Sequence, residues 1–182
     1  MFHASISNKK GEPMIQLETS RLLLKTLDLE LIEAAARRDK RAIEALGYKT
    51  DGEWPGPDFY EALPYFRELL IKNGGTKGFD SWIIAAKESR EIVGGIGFIG
   101  DPDPDGSIEI GFAINESHQR KGYCHEAAQA LINWAWNQAS VASIVARCEA
   151  DNIASKRVLE KLGFQKDHSD EQLLYWKYGK VK

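Results

Sequence analysis

The sequence predicts a single mixed α+β domain built around a mostly antiparallel sheet, and three observations lead there. Between residues 81 and 115 apolar residues fall in strand-length blocks separated by tight polar links, the pattern of an antiparallel meander. On both sides of that block the period lengthens to helical spacing. Helices are therefore interposed at the two ends of a strand run instead of alternating with every strand. The chain has 182 residues, 43% of them hydrophobic, which is enough to bury a core without metal or disulfide staples. Residues 1–13 are expected to be a loose leader and 14–182 the domain.

The elements follow in order. Residues 15–27 carry Leu17, Leu22, Leu23 and Leu24 and read as a first strand. Residues 29–46 are rich in alanine and charge, with Leu31, Ala35, Arg38 and Ala42 at helical spacing, and Gly47 ends the helix. A second helix spans 58–72 and closes at Asn73-Gly74-Gly75. Strands at 81–87 and 91–100 are joined by Glu88-Ser89-Arg90. Asp101-Pro102-Asp103-Pro104-Asp105-Gly106 is a turn, because proline lacks a ladder donor and glycine tolerates positive φ. A strand at 107–115, a helix at 125–138, a strand at 141–149, a helix at 153–162 and a closing strand or hairpin at 164–178 complete the chain. The sum is about six to seven strands flanked by about four helices.

Composition excludes several classes of function. Lysine plus arginine total 24 against 27 acids, a net charge of -3 that offers a polyanion no general attraction, so nucleic acid is not expected as a partner. Apolar runs fall far short of the roughly 20 residues that cross a bilayer. The polar opening segment has no signal-peptide core. The two cysteines, Cys124 and Cys148, form neither a metal-ligand pattern nor a disulfide framework. The expectation is a cytoplasmic protein with no metal and no membrane association.

Two motifs are set aside on physical grounds. Gly95-Ile96-Gly97-Phe98-Ile99-Gly100 spells a dinucleotide fingerprint, but that chemistry needs the glycines to open a helix, and here they run along a strand into Asp-Pro-Asp-Pro. A glycine strand leaving room for close packing explains them better. Asp101, Asp103, Asp105 and Gly106 imitate half of a calcium loop, yet its twelfth position is Phe112, which cannot ligate.

The chemistry concentrates between Glu109 and Ala128. A strand runs into a short basic loop, which opens an amphipathic helix with Ala127, Leu131 and Ala135 on one stripe. None of the four residues before His125 is Ser, Thr, Asp or Asn, so the usual side-chain cap is missing. The first helical N–H groups are left for another acceptor, either a phosphate or water, with Arg120 and Lys121 alongside.

These residues resemble the GCN5-related N-acetyltransferases, in particular the branch of the ribosomal-protein alanine acetyltransferases. Gln119-Arg120-Lys121-Gly122-Tyr123-Cys124 is similar to the family's Gln/Arg-x-x-Gly-x-Gly/Ala acetyl-CoA loop. Asn152-Ile153-Ala154-Ser155 is similar to its Asn-x-x-Ser helix, and Gly163-Phe164 to its exit. Thr19-Ser20-Arg21-Leu22-Leu23-Leu24 matches the branch's opening, so the likeness runs from about Leu17 to Tyr178. Cys124 departs from the pattern, standing where Gly or Ala is usual. A thiol at a helix N-terminus with His118 or His125 as base would be a nucleophile, but no third orienting group is evident.

The resemblance implies an acyl-CoA N-acyltransferase fold whose sheet splays at its fourth and fifth strands, and direct transfer from acetyl-CoA to a primary amine. Pantetheine would lie along Phe112, Ala113 and Ile114 as an added strand. Gly111 would bulge to open the wedge, and main-chain N–H groups of residues 121–124 would meet the pyrophosphate. Glu109 would be the general base, acting through a water; a solvated strand glutamate is the bland alternative. Asn152 is either a pantetheine ligand or simply an N-cap. Ser155 would protonate the thiolate, with Tyr175 as the other candidate. Trp54 and Phe59 would wall the acceptor site. The acceptor would be a protein N-terminus or a small-molecule amine, and the protein a monomer or homodimer. The competing reading is a non-catalytic, CoA-responsive binding module of the same fold.

Overall fold

The computed structural model describes residues 4–7 and 13–179. Among them, nine strands form one sheet, ordered β1-β2-β3-β4-β5-β6-β7-β9-β8. The strands are β1 (Ala4–Ser7), β2 (Pro13–Glu18), β3 (Leu22–Thr26), β4 (Ser81–Ala86), β5 (Ile92–Phe98), β6 (Ser107–Ile114), β7 (Ser143–Glu149), β8 (Gln165–Ser169) and β9 (Leu173–Gly179). The helices are α1 (Leu29–Ala36), α2 (Lys40–Ala45), α3 (Pro57–Asn73), α4 (Tyr123–Trp136) and α5 (Ile153–Leu162). Every strand pairing is antiparallel except β6 with β7, so the expected mixed fold and meander are present.

The counts of strands and helices differ from expectation for local reasons. The expected leader contains β1 and the first residue of β2, and β1 pairs with β2 from Ala4 opposite Gln16 to Ser7 opposite Pro13; residues 1–3 and 8–12 lie outside the described ones. The single strand expected at 15–27 is a hairpin, turned at Thr19-Ser20-Arg21 and closed by the Thr19 N–H donating to the Leu22 carbonyl at 2.9 Å. The helix expected at 29–46 is two helices. Arg38 takes φ 49° and breaks the ladder, and the Asp39 carboxylate caps the new start by accepting from the Ala42 N–H at 3.0 Å. Residues 164–178 form the hairpin alternative.

The sheet buries both faces. α4 and α5 cover one side, where Ala127, Leu131 and Ala135 of α4 are fully buried with Leu24, Trp82, Ile108, Ile110 and Ile144 of the sheet. The other side carries α1 to α3 over Leu23, Ile83, Ala85 and Ile92. The rejected fingerprint glycines act by their smallness. A Cβ on Gly95 would sit 2.6 Å from the Phe59 ring, and one on Gly97 would sit 2.4 Å from the Asp80 carbonyl oxygen. Asp103 completes the proline-rich turn, its Oδ1 accepting from the N–H groups of Asp105 (3.0 Å) and Ser107 (2.8 Å). Among the described residues, no helix is long and apolar enough to cross a membrane.

Candidate active site

The sheet opens where β6 meets β7. These strands pair only through Ser107 with Ser143, Ile108 with Ile144 and Glu109 with Val145. Beyond Glu109 their edges part, leaving residues 110–114 of β6 and 146–149 of β7 without each other. Gly111 does not bulge: register with β5 runs unbroken through Gly97 opposite Gly111 and Ile96 opposite Phe112. A Cβ on Gly111 would meet nothing within 4 Å. The wedge comes from strand divergence after three residue pairs.

Main-chain direction along β6 follows from two anchors. The Ile99 N–H donates to the Glu109 carbonyl and the Asn115 N–H to the Val93 carbonyl, each at 2.9 Å. Antiparallel alternation then turns the backbone of residues 109, 111 and 113 toward β5 and that of Ile110, Phe112 and Ile114 into the wedge. Ala113 is therefore engaged with Gly95 of β5 and contributes a small, exposed side chain instead of a main-chain donor. Phe112 and Ile114 pack their side chains on the α4 side. The Ile114 carbonyl already accepts the Gln119 side-chain amide at 3.1 Å, which ties the basic loop to the strand.

At the end of that loop α4 begins at Tyr123, two residues before the expected His125, and as expected it lacks a side-chain cap. Gly122 is the N-cap with φ 79°, and no side chain caps the helix. Arg120 also takes positive φ, 61°, so left-handed residues flank Lys121, a backbone state that also occurs in turns that gather N–H groups around an anion. Tyr123 is half-buried, with His118 stacked at 6.5 Å and the Arg21 guanidinium 4.9 Å from its ring centre. Burial pushes the Cys124 thiol up to about 12, which leaves it protonated at neutral pH and unsuited to nucleophilic attack.

Glu109 lies half-buried on the opposite face of the sheet from α4. Its Oε1 accepts from Arg147 Nε at 2.6 Å, and the pairing raises the arginine further above its ordinary range. Arg147 has no counterpart in the sequence-level site; its place on a strand that alternates buried and exposed residues (Ala146, Arg147, Cys148, Glu149) is the one signal that could have found it. Tyr175 of β9 stands directly opposite Arg147 of β7. Its hydroxyl donates to Asp170 Oδ2 at 2.8 Å, which holds the phenol above its usual range, and His168 stacks on the ring at 4.2 Å. Asn152 caps α5, its Oδ1 accepting from the Ser155 N–H at 3.0 Å, so the capping alternative is realised. The Ser155 hydroxyl has no hydrogen-bond partner among the described residues.

Of the expected acceptor wall, Phe59 is half-buried over Gly95, beside the β6 face that carries Ala113. Trp54 is instead a core residue, 3% exposed, packed in the cluster beneath α1 and α3 with its ring centre 5.8 Å from that of Phe59. An aromatic of that size in a long loop is held by burial, so it backs the wall without facing the opening. The loop before it is fastened to the turn at Glu116–His118. Ser117 Oγ donates to Asp51 Oδ2 (2.8 Å), and the Ser117 N–H donates to Glu53 Oε2 (3.3 Å). Sequence inspection missed this fastening because the partners are separated by 64 and 66 positions.

With this geometry in place, comparison with known proteins is decisive. The family model described as an acetyltransferase (GNAT) domain matches residues 21–165. The chain belongs to the GNAT acetyltransferases. Among relatives of this acetyltransferase, the uncharacterized N-acetyltransferase YjdG of Bacillus subtilis (strain 168) is 60% identical over 91% of this chain and 98% of its own. The ribosomal-protein-serine acetyltransferase of Escherichia coli (strain K12) is 32% identical over 48% of this chain and 49% of its own. The fold of the acetyltransferase is shared with RimL, a ribosomal L7/L12 alpha-N-protein acetyltransferase solved in complex with coenzyme A. That likeness has a TM-score of 0.65 at 17% identity, covering 88% of this chain and 95% of that one.

Proposed function

We propose that this acetyltransferase moves an acetyl group from acetyl-CoA to a primary amine by direct attack of the amine on the thioester. The observation that carries the reading is the wedge beyond Glu109 and Val145, with the N–H of Phe112 turned into it and an uncapped helix start, entered through left-handed residues, following the end of β6. The residues fit the cofactor. An added strand such as pantetheine can take main-chain bonds along β6, and the loop at residues 120–124 offers N–H groups to a diphosphate.

When bound, acetyl-CoA supplies the activated acetyl thioester. On this reading the Phe112 N–H stabilises charge that develops on the carbonyl oxygen. Arg147 fixes the Glu109 carboxylate through Oε1, and Oε2 takes the proton of the incoming ammonium through a water. The nitrogen bonds to the acyl carbon, the carbon–sulfur bond breaks, and Ser155 Oγ relays a proton, giving its own to the departing thiolate as it takes the one the new amide nitrogen sheds. Tyr175 ranks second as donor because its proton is bonded to Asp170. Asn152 acts by holding the start of α5, and so the position of Ser155.

The acceptor is a protein N-terminal amine or a small-molecule amine, a choice supported on the protein side by the relatives named for ribosomal-protein acetylation. Phe59 and the loop it stacks on wall that side. The proposal is tested by thermal shift with acetyl-CoA and by thiol release across an amine and peptide panel. Stabilisation of about 2.7 kcal/mol is expected at a hundred times the Kd. The absence of both a shift and thiol release would overturn the proposal. A shift without thiol release from any amine would return it to the CoA-responsive module.

A further inference from the structure

We infer that Arg21 is a positioning residue for the diphosphate cradle, a clamp that sets the loop at residues 120–124 in its anion-receptive shape before any cofactor arrives. The inference rests on the acetyl-CoA reading for its ligand but on separate observations for its geometry. Arg21 belongs to the β2–β3 turn, far from the cradle in sequence, yet its guanidinium reaches three parts of the cradle at once. Nε donates to Glu126 Oε2 at 2.7 Å, Nη2 lies 2.6 Å from the same oxygen, and Nη1 donates to the Lys121 carbonyl at 2.9 Å. The guanidinium carbon stands 4.9 Å from the Tyr123 ring centre. A Cβ on Gly122 would come within 3.4 Å of Nη2, so the guanidinium also lies against the loop's turning glycine.

Two consequences follow from this placement. The Lys121 carbonyl and the Gly122 N–H belong to one planar trans peptide, so they point in opposite directions. With the carbonyl held on Arg21, the Gly122 N–H is turned away from the clamp, toward the side an anion would approach. The second consequence is electrostatic. Glu126 sits in the first turn of α4, where a free carboxylate would compete with a diphosphate for the same N–H groups and repel it. Partial burial alone would raise its pKa. The bonds from the Thr19 hydroxyl, the Arg21 N–H, the Arg21 side chain and the Ser20 hydroxyl outweigh that and hold it below the usual carboxylate range. Its Oε1 takes the Thr19 hydroxyl at 2.6 Å, the Ser20 hydroxyl at 3.0 Å and the Arg21 N–H at 3.0 Å. The carboxylate is thus neutralised and turned toward the β2–β3 hairpin. The whole turn, Thr19-Ser20-Arg21, acts as one saddle for the helix start.

A lysine cannot reproduce the clamp, because one ammonium cannot reach the carboxylate and the carbonyl in the fixed fork geometry of a guanidinium. The test compares wild type with Arg21→Ala, Arg21→Lys and Glu126→Gln. Calorimetry should show CoA binding weakened about tenfold in Arg21→Ala and nearly as much in Arg21→Lys. Steady-state kinetics should show a matching rise in KM for acetyl-CoA, with kcat within twofold. Acetyl-pantetheine, which lacks the diphosphate, should keep its KM in all variants; a general loss of structure would raise both. In the ligand-free protein, amide exchange at Glu126, whose N–H donates to the Gly122 carbonyl at 3.2 Å, should accelerate about tenfold in Arg21→Ala while α4 from Ala127 onward is unchanged. Equal CoA affinity in wild type and Arg21→Ala, or unchanged exchange at Glu126, would overturn the clamp while leaving the acetyl-CoA reading standing. If wild type itself failed to bind CoA, the acetyl-CoA reading would fail, and the exchange measurement would still decide whether Arg21 shapes the loop.

Discussion

Asp80 should make this protein lose stability as pH rises through about 6, and Asp80→Asn should remove most of that dependence. The carboxylate is 7% exposed at the entry to β4. Burial pushes its pKa up to about 6, against the bonds it accepts from the Thr76 hydroxyl and from the N–H groups of Lys77 and of Asp80 itself. Thr76 Oγ1 lies 2.8 and 2.7 Å from its two oxygens but has one proton to give. An unfolded aspartate titrates near 3.9, so the sign is fixed: the contribution is fully present below about pH 4 and is lost as pH rises through about 6. The full span is about 3 kcal/mol, of which about 2 kcal/mol falls between pH 4.5 and 7.5. Asparagine keeps one acceptor for Thr76 and carries no charge. Urea melts of both proteins at pH 4.5 and 7.5 measure the difference. The gap in unfolding free energy between them should move by about 2 kcal/mol in favour of the variant at the higher pH, or about 4–8 °C in Tm. A gap that stays within 0.5 kcal/mol would refute the idea that Asp80 carries a desolvated charge.

Three other outcomes are expected. Glu109→Gln should lower kcat by about 10²–10⁴ with CoA affinity unchanged by calorimetry; undiminished turnover would remove Glu109 from proton transfer. Gly95→Val should cost about 1–3 kcal/mol in a denaturant melt, since its Cβ falls within the van der Waals radius of the Phe59 ring, which is itself packed on Phe66 at 5.4 Å. An unchanged midpoint would mean that Phe59 is free to move away. Half-buried Cys124, with its thiol pushed up to about 12, should resist iodoacetamide at pH 7.5 for hours in the folded protein and react on unfolding; labelling at the rate of a free thiol, read by mass spectrometry, would contradict the raised thiol pKa.

Much of the site was legible because it is local in sequence. The uncapped start of α4, the basic loop before it and the Asn152 cap each depend on backbone groups within a few positions, and capping chemistry has a short range. The glycine strand was legible in kind, as close packing, though its partners were not: Phe59 against Gly95 joins a helix to a strand 36 positions apart. Long-range partners carried no sequence signal. Arg147 meets Glu109 from 38 positions away and Arg21 meets Glu126 from 105. Trp54 was misjudged for the same reason, since loop position does not say which way an indole packs.

By itself, then, the order of residues determined the mixed fold, the meander, the stripe of α4 and the family, because periodicity, caps and turn chemistry act over neighbouring residues. Tertiary structure alone decided where β6 and β7 part, which main-chain groups face the opening, what neutralises Glu126 and what holds Glu109. Those depend on strand register and on side chains meeting across the sheet, and both are fixed only when distant segments pack against a common core.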